Sequence, residues 1–127
     1  MRITSAGNVG VGTTDPTYPL AVNGTIEAKE VIVQTGWSDY VFDPNYHLAP
    51  LDELERSIKK LSHLPGMPSS KEVAEHGVKI GEVEAKLLAQ VEEMTLRQID
   101  QAKLIKSQQL EIDELERKVG MLKSDGK

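Results

Sequence analysis

The chain has 127 residues, a formal net charge of -5, no cysteine and only 4% aromatic residues. The acidic balance argues against a nucleic-acid backbone as the main partner, because phosphate contacts need clustered Lys and Arg. The absence of cysteine excludes disulfides, thiolate metal sites and a Cys nucleophile.

The first segment, residues 1–34, is punctuated by glycine. Arg2 is followed by Ile3-Thr4-Ser5-Ala6-Gly7 rather than by the apolar region of a signal peptide. The chain opens in mid-pattern and is expected to be a fragment of something longer. Gly7-Asn8-Val9-Gly10-Val11-Gly12-Thr13-Thr14-Asp15-Pro16 is superficially like a dinucleotide fingerprint. The match fails, because the third glycine is missing, no apolar strand precedes it, and Asp15-Pro16 blocks the helix that should follow. Next, Leu20-Ala21-Val22 and Thr25–Val33 flank Asn23-Gly24, a pair whose tolerance of positive φ predicts a β-hairpin. Ile26 and Ala28 share one strand parity, with Glu27 and Lys29 on the other. Asn23-Gly24-Thr25 is also a formal glycosylation sequon, read here as the turn itself. The stretch Val9–Pro16 followed by Leu20–Ile26 resembles the repeat of phage tail fibres and long bacterial surface fibres. That resemblance implies thin segments that become stable only when three chains wind together.

Residues 35–81 read as a compact joint. Trp37-Ser38-Asp39-Tyr40-Val41-Phe42 gathers most of the aromatics, and suggests a strand that ends at the turn Asp43-Pro44-Asn45. Pro50 is expected at the first position of a short helix, with Asp52 and Glu53 at its positive end. Leu51, Leu54, Ile58 and Leu61 would share one face of it. His63-Leu64-Pro65-Gly66-Met67-Pro68 ends the helix. Ser69 to Glu72 predicts a capping box for a second short helix over 70–75, stopped by Gly77. Gly36–Phe42, His63–Ser69, Glu72-Val73 and Gly77–Glu82 occur in that order. Together they resemble the C-terminal region of tail-fibre-domain proteins of Bacteroidetes and their phages. The layout is similar to the endosialidase-type intramolecular chaperone, and implies a trimeric fibre end.

Self-cleaving relatives of that chaperone cut at a Ser-Asp pair helped by a lysine. The resemblance therefore makes Ser38, in Ser38-Asp39 with Lys59 and Lys60 downstream, the one candidate catalytic residue. Tyr40-Val41-Phe42 departs from the Arg-Leu-Lys-like continuation of those relatives, which favours Ser38 as a non-catalytic polar residue of the aromatic segment. His47, His63 and His76 lack metal-ligand spacing. No metal or cofactor is expected.

The rest of the chain is organised by one helix, expected over 82–123. No Gly, Pro or Cys interrupts residues 83–119. One heptad frame places Val91, Gln98, Ile105, Ile112 and Val119 at a, and Leu87, Met94, Gln101, Gln108, Leu115 and Leu122 at d. These eleven are the expected oligomerisation residues. Ile80, Val83, Leu87 and Val91 form a stutter upstream. Ile112-Leu115-Val119-Leu122 favours two strands. The broad face that includes Leu88, Ala102 and Leu104, and the Gln98, Gln101 and Gln108 layers, fits three. Heptads alone leave the number open, and the fibre resemblance implies three. In a parallel coil Glu111 would face Glu116 and Lys118 would face Lys123, so the last two heptads are expected to be loose. Asp113-Arg117 and Glu114-Lys118 are favourable pairs within one helix.

The expected architecture is an α+β fibrous chain, homotrimeric, with four parts: β segments over 1–36, a helical joint over 37–81, a parallel coiled coil over 82–123 and a disordered tail over 124–127. The expected function is trimerisation and register-setting at the C-terminal end of a phage tail fibre or cell-surface fibre. Alternatives are a self-cleaving chaperone protease using Ser38, and a coiled-coil adaptor for other helical proteins. The partner is the chain itself, with a host-surface receptor reached through upstream parts of a longer fibre. No nucleic-acid or membrane-inserting role is expected. The location would be the virion or the bacterial cell surface.

Overall fold

The computed structural model describes residues 1–126. The chain is α+β: three short strands, two short helices and one long helix. It divides into two units, residues 1–32 and residues 33 onward.

In the first unit β1 (Arg2–Ile3) pairs antiparallel with β2 (Val9–Val11), and β2 pairs parallel with β3 (Leu20–Val22). The parallel register sets Val9 against Leu20, Gly10 against Ala21 and Val11 against Val22. The chain thus returns beside itself in a single small coil, far tighter than the crossover of a dozen or more residues that parallel strands usually need. Side chains make the tight return possible. Asn8 Nδ2 donates to Pro16 O at 3.1 Å, and Asn23 Nδ2 donates to Gly12 O at 3.3 Å. Gly10 is required by space, since a Cβ there would stand 2.5 Å from Thr13 O.

The expected hairpin at Asn23-Gly24 does not form. Asn23 instead extends the parallel pairing, its N–H donating to Val11 O at 2.8 Å. Residues 25–33 are in no strand, and Ile26, Val31 and Ile32 lie exposed. A β-prone run becomes a strand only when a second backbone is within reach. β3 lies at the edge of the sheet, paired with β2 on one side, and residues 25–33 leave it without folding back on its free side.

In the second unit the aromatic segment is not a strand either. It turns at Tyr40–Asp43, where Asp43 N–H bonds Tyr40 O, and again through Asp43–Tyr46. Asp43 Oδ1 accepts from Asn45 N–H at 2.8 Å, the turn chemistry expected there. α1 spans Leu51–Leu61, with Pro50 at the N-cap, one position outside the expected place. α2 spans Ser70–His76 and begins with the predicted capping box, Glu72 N–H to Ser69 Oγ at 3.2 Å and Ser69 N–H to Glu72 Oε2 at 2.9 Å. It stops at Gly77, whose φ of +67° suits glycine.

α3 runs from Ile80 to Asp125, two residues longer at each end than the sequence suggested. Ser124 and Asp125, expected in the tail, are helical; Lys127 lies outside the described residues. At 1.5 Å per residue the helix is about 70 Å long. Lys118 Nζ pairs with Glu114 at 3.4 Å as expected. Asp113 accepts instead from Gln109 Nε2 at 2.9 Å rather than pairing with Arg117. Val41 and Ala89 are the buried hydrophobic residues among those described. The single chain thus buries little apolar surface of its own.

Candidate oligomerisation surface

Small residues open the back of α3 to the rest of its own chain. Gly81, Ala85 and Ala89 step by four along one side. A Cβ on Gly81 would stand 2.5 Å from Thr35 Cγ2 and 2.8 Å from Val33 Cγ1, so the extended segment lies close against the helix there. Three anchors follow. Ser38 Oγ donates to Ala85 O at 2.8 Å, Tyr46 OH donates to Glu93 Oε1, and Arg97 Nη2 donates to Ala49 O at 2.9 Å. Tyr40 and Tyr46 rings meet at 5.7 Å between centroids, tilted by 46°.

In the heptad frame with Val91 at a, the segment meets Gly81 at e, Ala85 at b, Ala89 at f, Glu93 at c and Arg97 at g. It therefore crosses the back of α3 obliquely, from the e flank to the g flank. Positions a and d are not on its route.

The seam is bare. Leu87, Val91, Met94, Ile105, Ile112, Leu115, Val119 and Leu122 are 47–72% exposed, and Gln98, Gln101 and Gln108 are exposed beside them. Every residue from Gln98 to Gly126 is exposed. An aliphatic side chain fully moved from water into a seam gains about 1.5–3 kcal/mol, so this row carries a large unrealised contribution.

Ser38 is 2% exposed and its hydroxyl is held by a helix carbonyl. Lys59, one of the two lysines downstream, pairs instead with Glu55 at 2.7 Å on an exposed face of α1. Among the described residues the Ser38 hydroxyl bonds a backbone carbonyl rather than a basic side chain, and that bond holds the segment to α3. His63 Nδ1 lies 2.9 Å from the Leu64 carbonyl, and His76 lies beside Glu75.

The hydrogen bond to Glu93, burial and the negative charge of Glu93 push the Tyr46 hydroxyl from its ordinary 10.0 up to about 12. The folded chain thus holds this proton more tightly than the unfolded chain does. The stabilisation is complete below pH 10 and is lost as the pH rises through about 12. Thermal melts across that range should show the wild-type midpoint falling more steeply than that of Tyr46→Phe, which has no proton to lose. Equal slopes would mean the Tyr46–Glu93 bond contributes nothing.

Sequence reasoning missed Arg97, Glu93 and Tyr46 as anchors. The available signal was the Gly81-Ala85-Ala89 row, since small residues at four-residue steps opposite an apolar seam mark close approach of another segment. Compared with family models, curated protein sequences and solved structures, the chain matches none. Among the described residues no helix is long and apolar enough to cross a membrane.

Proposed function

We propose that the chain is a structural assembly module, which holds three identical chains parallel and in register at the C-terminal end of a phage tail fibre or bacterial surface fibre. The observation that carries this reading is the division of α3. Its own chain covers the back from Gly81 to Arg97 and leaves the a/d seam exposed along its whole length. A seam of that length has an occupant of the same period in every identical copy. The resemblance of Val9–Ile26 and Gly36–Glu82 to fibre proteins supports three copies and the virion or cell-surface setting. No catalytic step is needed in this role, and Ser38 serves as an anchor.

Light scattering of the purified chain should give three times 14.0 kDa. A stable monomer would sink the proposal. A dimer would favour the adaptor reading, to which Ile112-Leu115-Val119-Leu122 already leans. Mass spectrometry should find one intact species, with Ser38→Ala assembling like the wild type. That variant should be less stable by about 1 kcal/mol, the net worth of one hydrogen bond. Two wild-type fragments split at Ser38, absent from the variant, would establish the self-cleaving reading instead.

A further inference from the structure

Asn23-Gly24 has the chemistry of a tight turn, yet no hairpin uses it. β3 ends at Val22, and the chain leaves the sheet through this pair. The same pair carries a second chemistry. The backbone nitrogen that follows an asparagine can attack the side-chain carbonyl carbon and close a small ring. A side chain on the following residue shields that nitrogen, and a hydrogen bond on its N–H holds it back. Gly24 lacks both protections. Nothing stands within 4 Å of where its Cβ would lie, and its N–H makes no hydrogen bond among the described residues. Asn23 and Gly24 are both exposed, so water reaches them.

The Asn23 side chain is restrained by one bond, from Nδ2 to Gly12 O, at 3.3 Å on an exposed face. An N–H···O bond usually spans about 2.7–3.2 Å, so water competes for both of these partners. The other two asparagines are guarded. Asn8 is half-buried and followed by Val9, whose N–H bonds Pro19 O at 2.8 Å. Asn45 is followed by Tyr46, whose N–H bonds Asp43 O at 2.9 Å. In both the attacking nitrogen is shielded by a bulky residue and its N–H is already used.

We propose that Asn23 is a self-modification site, where water converts the side-chain amide to a carboxylate and so releases the tie between the end of β3 and Gly12. The Gly24 nitrogen gives its proton to solvent and bonds Asn23 Cγ. The Cγ–Nδ2 bond breaks, and the amide nitrogen takes a proton from solvent and leaves as ammonia. A water molecule then opens the ring at either carbonyl, giving aspartate or its β-linked isomer. Nothing is oxidised or reduced. Neither product keeps the side-chain NH2 that donated to Gly12 O, and a carboxylate only accepts. Gly12 packs directly on this residue, since a Cβ there would stand 2.9 Å from Asn23 O. The repulsion therefore falls on the last tie of the coil, the residue 23 N–H to Val11 O. The inference concerns the first unit alone and holds for any chain count.

The full chain is incubated near neutral pH, folded and in parallel in urea, and its peptides are followed by mass spectrometry. The peptide containing Asn23 should gain the mass difference between an amide and an acid at comparable rates in both samples. The rate should rise with pH, because attack needs the Gly24 nitrogen to lose its proton. Asn8 and Asn45 should stay intact in the folded sample. Conversion of Asn23 in urea alone would mean that the Gly12 bond locks the amide, and would overturn the proposal. Equal conversion of all three asparagines in the folded chain would also overturn it. The consequence is read on Asn23→Asp, which carries one product from the start. Its residue 23 amide hydrogen should exchange faster than in the wild type, as local opening requires. Equal exchange would overturn the release of the tie.

Discussion

A chain carrying Ile105→Asp and Ile112→Asp should lose its helical signal and its assembled mass together. The two positions lie at a, and both are exposed in the single chain, by 65% and 47%. The substitutions therefore remove nothing that one chain uses for itself. In a coil of three, each layer would bring three carboxylates together. At a separation of about 5 Å and an effective dielectric of about 20, each pair costs roughly 3 kcal/mol. The lost burial of two isoleucines in every chain adds about 2–3 kcal/mol per side chain. These sums rival the whole stability of an ordinary domain, about 5–15 kcal/mol.

Helix and assembly should fail together because nothing else supports the helix there. Beyond Arg97 no segment among the described residues covers it, and helices without tertiary packing are marginal in water. The Glu114–Lys118 ion pair and the Gln109–Asp113 hydrogen bond contribute only about 0.2–0.5 kcal/mol each. Ser107→Asp, at c on the back of the helix, is the control and should leave circular dichroism and native mass unchanged. If the double variant keeps both signals, the a/d row is not the interface.

The elements that carry their own local chemistry could be read from the sequence. Ser69 and Glu72 cap α2 because both partners of a capping box lie within one turn. α3 was visible because the period of its apolar residues repeats over many turns. Legibility fell where the outcome depends on a distant partner. Asn23-Gly24 has the chemistry of a hairpin turn, yet Asn23 bonds Val11 and Gly12 instead, which local turn preference does not register. The three anchors join residues 47 or 48 positions apart, where no periodicity links them. The bare seam was legible as a pattern. What the pattern did not reveal is that the chain's own segment takes the opposite face, which follows from Gly81, Ala85 and Ala89 being small.

A truncated chain ending at Gly81 should be monomeric and open to protease throughout residues 33–79. It keeps α1, α2 and every turn, and loses all three anchor partners on α3: the Ala85 carbonyl, Glu93 and Arg97. Each bond is worth about 1 kcal/mol net, but the buried Ser38 hydroxyl and Val41 side chain lose their cover as well. Neither short helix has a buried residue of its own to fall back on. The β segment should become protease-sensitive for a different reason. Val9–Val22 closes one small coil, while Ile26, Val31 and Ile32 lie exposed, and in the proposed trimer they would pair with other copies. Tethering those strands at a shared helix raises their effective concentration to about millimolar. It also offsets the loop-closure entropy that slows non-local pairing. A second truncation ending at Leu104 separates the two effects. It retains every anchor and lacks the lower seam, so residues 33–79 should regain protection at any concentration while native mass remains low. If the chain ending at Gly81 assembles and resists protease as well as the full chain does, the β segment is self-sufficient. α3 would then be an appendage, and the role proposed for it would fall.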